Sequence, residues 1–236
     1  MNVALILAGG SGKRTEQDIP KQFMNVYDKP IIIYTLEAFQ KHPDIDGIIV
    51  SCLEGWEEIL RAYAREYGIN KLKWVVSGGE NGQASARKAI LALENICGDD
   101  DVVVIHDAVR PMVSGDIISD CIVTCKRHGN GLSAIRCQET IVQTADGISG
   151  SVNIHRDDIM RVMTPQAYRY DKAVWAHKTA LERGITNAVY TNTLMLDLGE
   201  TVYFSKGSTK NIKITTIEDM EIFKALYVTE KESWMK

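Results

Sequence analysis

Val3-Ala4-Leu5-Ile6-Leu7-Ala8-Gly9-Gly10-Ser11-Gly12-Lys13-Arg14, with Pro20-Lys21-Gln22-Phe23 a few residues on, is the stretch on which the reading of this chain turns. Residues 3–8 are apolar without alternation, the pattern of a strand covered on both faces. Three glycines follow at once. They let the backbone turn tightly and bring its N–H groups within reach of a phosphate. Arg14 and Lys21 supply the positive charge that a triphosphate needs. The spacing is not that of a Walker A loop, whose Gly-Lys-Ser/Thr ending is absent. It is not a dinucleotide fingerprint either, since no third glycine falls where Gly-x-Gly-x-x-Gly requires it. A solvated surface loop remains the competing interpretation of the glycines taken alone.

Working outward, apolar runs alternate with segments of helical period. Strands are expected at 46–52, 72–76, 102–106 and 132–136, and helices at 31–41, 56–67, 85–95, 115–128 and 172–183. A strand at 201–205 and a helix at 217–228 close the chain. Short apolar strands separated by helices indicate an α/β fold with a mostly parallel sheet and helices on both faces. Residues 139–144 and 151–155 break this rhythm. They are β-prone and flank Asp146-Gly147, a hairpin signal. A hairpin projecting from an α/β core leaves open edges, so a second copy of the chain is its expected cover. The 236 residues are read as one domain, 1–236, with a β-arm at about 137–156.

Composition narrows the function. Lys and Arg total 27 against 31 Asp and Glu, for a net charge of −4, so there is no polycationic footprint for nucleic acid. No run approaches the roughly 20 apolar residues of a membrane span, and the opening apolar run lacks the basic flank and length of a signal peptide. Five scattered cysteines fit a reducing, cytoplasmic setting better than a disulfide framework.

Three further segments bear on chemistry. In Val104-Ile105-His106-Asp107-Ala108-Val109-Arg110-Pro111 a buried strand ends in a carboxylate, and ligands of open α/β sheets sit at the carboxyl ends of strands. Asp107 there suits Mg²⁺, which takes one or two carboxylates plus substrate phosphates; a turn cap paired with Arg110 is the alternative. His106 is expected to pack rather than ligate. Ser77-Gly78-Gly79-Glu80-Asn81-Gly82-Gln83-Ala84-Ser85 offers backbone groups for a nucleobase or ribose, with Ser85 equally readable as a helix cap. Asn211-Ile212-Lys213-Ile214-Thr215 places a lysine in an expected strand. Cys121, Cys125 and His128 share a helix face, where packing is expected over zinc because a fourth ligand is missing.

Taken together, Leu-Ala-Gly-Gly-Ser-Gly-Lys-Arg, Pro-Lys-Gln-Phe, His-Asp-Ala-Val-Arg-Pro, Thr164-Pro165-Gln166 and Asn-Ile-Lys-Ile-Thr, in this order, resemble the cytidylyltransferases that make 4-diphosphocytidyl-2-C-methylerythritol, and their relatives that make CDP-ribitol. The resemblance implies a Rossmann-like nucleotidyltransferase with a β-arm that forms a homodimer. It implies CTP and a polyol phosphate as substrates and Mg²⁺ as cofactor. By this resemblance Arg14, Lys21 and Lys213 are the catalytic cations. Ala8, Gly9, Gly10, Gly12, Gly79, Glu80, Ser85, Asp107 and Arg110 bind the nucleotide, with Asp107 on the metal. Thr140, Arg156 and Thr164 are assigned to the acceptor and its phosphate, the first two reaching from the arm to the partner subunit. The chain departs from the family pattern at Gly82, where an arginine is usual, at Glu80 and Glu139, each usually Asp, and at Tyr190-Thr191-Asn192-Thr193-Leu194-Met195-Leu196-Asp197, where a Thr-Asp-(Asp/Glu)-Ala segment is usual. These departures fall mainly on the acceptor side, so ribitol, glycerol and methylerythritol phosphates all stay open. A nucleotidyltransferase using another base, and a nucleotide-binding relative without turnover, are the competing readings.

Overall fold

Strand β1 spans Asn2–Ala8, and Val3, Ala4, Leu5 and Ile6 within it keep no exposed surface. Such a strand must be covered on both faces. The computed structural model of the chain describes residues 1–10 and 19–233, and there helices pack on either side of the sheet. After a 3-10 turn at Lys21–Phe23 come a small ribbon of β2 (Asn25–Val26) and β3 (Lys29–Pro30), then α1 (Ile31–Lys41), β4 (Gly47–Cys52), α2 (Glu57–Glu66) and β5 (Leu72–Ser77). The chain continues through α3 (Gly82–Leu91), β6 (Val102–Asp107), α4 (Gly115–His128) and β7 (Asn130–Arg136). Then follow β8 (Ile141–Gln143), β9 (Val152–Ile154), β10 (Met160–Arg169), α5 (Tyr170–Glu182), α6 (Thr191–Asp197), β11 (Phe204–Lys206) and α7 (Ile217–Ser233).

The main sheet has seven strands in the order β11-β7-β10-β6-β1-β4-β5. All neighbours are parallel except β10, which runs antiparallel to both β6 and β7. On one face, Ile32, Leu36 and Phe39 of α1, Leu60 of α2 and Ile118, Cys121 and Cys125 of α4 pack onto Ala4, Ile6 and Val104. On the other, Ala89 and Ile90 of α3, Ala173, Ala176 and Ala180 of α5 and Leu194 of α6 cover Val3, Leu5 and Ile105. A third cluster joins α7, through Phe223, to Val26, Tyr34 and Ile214. This is the expected α/β class. Among the described residues no helix is long and apolar enough to cross a membrane.

Several local expectations change. Helix α3 begins at Gly82 rather than Ser85, because Asn81 is its cap and accepts the Ala84 N–H at 2.9 Å. The hairpin forms with shorter strands than expected, pairing Ile141 with Ile154 and Gln143 with Val152. Between them the Asp146 carboxylate accepts the N–H groups of Ile148 (2.9 Å) and Ser149 (2.8 Å) and the hydroxyl of Thr144 (3.0 Å). These local bonds compete with a ladder and open the turn into a loop. Lys213 does not lie in a strand; residues 211–215 are irregular. Strand β10 and helix α6 are elements that the sequence pattern did not announce.

His177 of α5 is fully buried behind α6, with Nε2 3.3 Å from Thr191 Oγ1. Burial pushes its imidazole down to about 4. A histidine kept neutral in the fold favours folding fully above the unfolded value of about 6.5, and loses that advantage as pH falls toward the folded value. Urea unfolding from pH 7 to pH 5 is therefore expected to show a stability loss that His177→Gln reduces by about 2 kcal/mol. Equal losses in both proteins would contradict a neutral buried histidine.

Candidate active site

From β1 the sheet grows through β4 and β5 on one side, and β6 then joins on the other. The carboxyl ends of β1 and β6 therefore flank the switch in strand order, the place where open α/β sheets bind ligands. Leu7 pairs with Asp107 across them. A cleft of about 650 Å³ opens there, lined among others by Ala8, Gly9, Gly10, Lys21, Gly79, Glu80, Ser85, Asp107, Tyr190 and Lys213.

One wall is bare backbone. A Cβ on Gly9 would stand 3.1 Å from Ser85 Oγ and 3.4 Å from the Gly78 Cα, and one on Gly79 would meet the Ala84 Cβ at 2.5 Å. The loops after β1 and β5 thus touch where no side chain fits. Ser85 is buried, and its hydroxyl accepts the Gly79 N–H at 2.9 Å. Its role here is to hold the loop, not to cap the helix. Gln22, itself only 2% exposed, donates from Nε2 to Ala8 O (2.8 Å) and Gly10 O (2.9 Å) and so fixes the exit of β1.

The floor is a charged cluster around Asp107. Its Oδ2 accepts from Arg110 Nε at 2.9 Å and its Oδ1 from Lys213 Nζ at 3.2 Å. The Thr164 hydroxyl accepts the Asp107 N–H at 3.1 Å and lies 3.4 Å from Oδ2. Burial raises the Asp107 carboxyl, but the Lys213 ammonium and Arg110 guanidinium together outweigh it and hold the group below the usual carboxylate range. Burial likewise lowers Lys213, and Asp107 with Tyr190 more than restores it. Both groups are therefore charged at neutral pH. Lys213 is held without a ladder because its neighbours are anchored. Asn211 Nδ2 donates to Thr164 O at 2.7 Å, and the Ile214 N–H donates to Val109 O at 2.9 Å.

Among the described residues no three His, Cys, Asp or Glu side chains gather into a metal cage. A hard cation that takes its remaining ligands from phosphates and water needs only one or two carboxylates. Asp107, ionised and lining the cleft, fits as such a single protein ligand.

The structure thus gathers Ala8, Gly9, Gly10, Lys21, Gly79, Glu80, Ser85, Asp107 and Lys213 at one cleft, with Arg110 bonded to its floor. Thr164 is buried behind Asp107 rather than in the wall. Thr140 and Arg156 lie on the exposed arm, outside the lining. Gly12 and Arg14 lie outside the described residues. His106 points to the opposite face of β6. It packs 5.2 Å from the Phe39 ring and donates from Nε2 to Arg110 O at 3.1 Å, and burial lowers it to about 4. Cys121 and Cys125 belong to the core, and His128 stacks on Tyr203 with ring centroids 4.2 Å apart. Sequence reasoning missed the structural part of Gln22, and it missed Gln83, whose amide donates to Ile185 O (2.7 Å) and accepts from the Ala188 N–H (2.9 Å). A glutamine beside a glycine loop was the available signal for the first; the second carried none.

The family described as IspD, 2-C-methyl-D-erythritol 4-phosphate cytidylyltransferase, matches residues 2–229. A ribitol-5-phosphate cytidylyltransferase of Lacticaseibacillus paracasei is 47% identical over 98% of this chain and 100% of its own length. A 2-C-methyl-D-erythritol 4-phosphate cytidylyltransferase of Clostridium botulinum is 35% identical over 93% of this chain and 94% of its own. In fold, the crystal structure of 4-diphosphocytidyl-2C-methyl-D-erythritol synthase from Anaerococcus prevotii superposes with a TM-score of 0.81 at 23% identity, covering 97% of this chain and 96% of that one.

Gln22→Leu keeps the side-chain bulk but withdraws two donors from the carbonyls of the β1 loop. A stability loss of about 1–3 kcal/mol is expected in urea unfolding. A loss under about 0.5 kcal/mol would mean that the loop carbonyls find other donors at no cost.

Proposed function

The chain belongs to the 2-C-methyl-D-erythritol 4-phosphate cytidylyltransferase family, and from that premise we propose that it transfers the cytidylyl group of CTP to ribitol 5-phosphate, giving CDP-ribitol and pyrophosphate. The observation that carries this reading is the cleft itself: bare backbone on one wall, Lys21 in its lining, and Lys213 with an ionised Asp107 at the floor. Anionic substrates need this arrangement. The ribitol acceptor is supported by the higher identity to the relative of that name, and by the acceptor-side departures in sequence.

An alkyl phosphate has its second pKa near 6 and is largely dianionic at neutral pH, so the acceptor needs no general base. Its oxygen attacks the α-phosphorus of CTP. The bond from that phosphorus to the bridging oxygen breaks, and the electron pair leaves with pyrophosphate. The obstacle is the repulsion between anions, and catalysis lies in positioning and charge. Lys21 and Lys213 offset that repulsion, and Arg14 is assigned to the triphosphate with them. Asp107 would hold Mg²⁺, with Arg110 keeping the carboxylate in place; bound Mg²⁺ supplies further neutralisation of the triphosphate. Gly79, Glu80 and Ser85 are assigned to the cytidine side.

Thr140 and Arg156 are exposed and do not line the cleft of their own subunit; they lie on an arm whose Ile148 is 93% exposed and whose Val142 and Val152 are each 50% exposed. A second copy is the proposed cover, placing these two residues at the partner's acceptor. The five cysteines, all unpaired, support a reducing, cytoplasmic setting.

The test is pyrophosphate release with each of CTP, UTP, GTP and ATP against ribitol 5-phosphate, 2-C-methylerythritol 4-phosphate and the glycerol phosphates. Turnover with CTP and ribitol 5-phosphate is expected. Use of methylerythritol phosphate instead would overturn the acceptor, use of another base the nucleotide, and CTP binding without any turnover the enzyme. Lys21→Ala and Lys213→Ala are each expected to lower kcat about 10²–10³-fold; losses under tenfold would reject their roles. Light scattering is expected to find a dimer that Ile148→Asp dissociates, and a monomeric wild-type protein would remove the arm from the reading.

A further inference from the structure

Tyr190 stands at the start of α6, inside the segment where the sequence departs from the family pattern, and it lines the cleft. Its phenol joins the charged cluster on the floor. Lys213 Nζ donates to the Tyr190 oxygen at 2.6 Å, and the phenol in turn donates to Asp107 Oδ2 at 3.5 Å. The ammonium also lies 5.0 Å from the Tyr190 ring centroid. Lysine, phenol and carboxylate thus form a closed ring of three groups, since Lys213 also reaches Asp107 Oδ1.

The phenol is itself held in place. The Thr193 hydroxyl accepts the Tyr190 N–H at 3.2 Å and donates to the Tyr190 carbonyl at 2.7 Å. Asn192 is buried and accepts from Gln166 Nε2 at 3.1 Å, and Gln166 in turn accepts from the Tyr168 hydroxyl at 2.8 Å. Gln83 fixes the chain just before it, at Ile185 and Ala188. Buried side chains on α3, α6 and β10 therefore converge to place one hydroxyl.

We propose that Tyr190 is a positioning residue for Lys213: it holds the ammonium between the phenol and Asp107, with its third N–H directed to a substrate phosphate oxygen. This rests on Lys213 acting on the phosphates, as argued above. A lysine has a long flexible stem and three donors. Two of those donors are spent inside the ring, which fixes the stem and leaves one for the ligand. Without the phenol, the ammonium has a single fixed partner of opposite charge. It then either settles wholly on Asp107, withdrawing charge from the phosphates, or swings into the open cleft. Either way the loss falls on the transition state more than on ground-state binding.

The test is a double-mutant cycle. Tyr190→Phe keeps the ring and removes the hydroxyl. It is expected to lower kcat for pyrophosphate release roughly tenfold, as befits one hydrogen bond to a charged group, with KM for the alditol phosphate within twofold of the wild type. In a Lys213→Ala background the same change is expected to have no further effect. A full tenfold loss in both backgrounds, or kcat of Tyr190→Phe within twofold of the wild type, would overturn the proposal. A second arm needs no turnover: acetylation of Lys213 by acetic anhydride, read by peptide mass spectrometry relative to the exposed Lys41. Removing the hydroxyl is expected to change Lys213 labelling several-fold, upward if the ammonium swings into the cleft and downward if it settles on Asp107, and an unchanged rate would overturn the proposal. Should the wild type release no pyrophosphate from CTP with any acceptor, the cytidylyltransferase reading fails while the labelling arm still decides whether Tyr190 holds Lys213.

Discussion

One buried carboxylate organises this molecule. Asp107 ends the central strand β6, and it is nearly closed to solvent in its own protein matrix. A carboxylate placed there without partners would take up a proton. Instead, Arg110 three residues on and Lys213 from the far end of the chain hold it ionised. Thr164, brought in by the antiparallel β10, accepts its N–H. Three distant parts of the sequence must therefore meet at one side chain before it can exist as a charge. The third cluster of the core, with Ile214 and Phe223, secures the segment that delivers Lys213.

Around this point the site divides into two kinds of surface. The walls made by the loops after β1 and β5 are backbone, and glycines let them lie within touching distance of each other. Such a wall offers N–H groups whose positions are set by the sheet and by Gln22. The floor is made of side chains in which two cations, Arg110 and Lys213, outnumber the one carboxylate of Asp107. A polyanion entering the cleft meets fixed dipoles on one side and cations already oriented on the other, so little reorganisation remains for the reaction itself. No nucleophile–base pair is needed, since an alkyl phosphate dianion attacks without proton removal.

The side of the cleft formed by α6 is built differently. Helix α6 is short, and besides its buried Leu194 and Met195 its first turn is positioned by buried polar contacts to Gln166 and His177, while Gln83 fixes the loop before it. Polar contacts of this kind depend on direction, and they fix where Tyr190 and Thr191 stand more sharply than packing alone. A change of residue types in this segment can therefore re-aim Tyr190 without disturbing the sheet that carries the glycine loop.

Much of the fold was legible in the chain. The bounds of α1 and α4 coincide with their helical period, and the apolar runs of β1, β4 and β6 mark strands buried on both faces, because burial on two sides leaves a continuous signal. The glycine loop and Asp107 were legible for a related reason: each follows directly from a strand and needs only local sequence. Strand β10 was not, since its Thr164 and Gln166 are polar yet buried, and their partners Asp107, Asn192 and Tyr168 lie at other places in the chain or only become partners once the strand is paired. Lys213 was visible as a residue but not as a member of the Asp107 cluster, and Tyr190 was visible only as a departure from a pattern. The sequence by itself determined where the strands buried on both faces, β1, β4 and β6, lie and where the glycine loop begins, because both depend on neighbours in the chain. Tertiary structure alone decided that Lys213 meets Asp107, because a buried ion needs partners and this one comes from more than a hundred residues away along the chain.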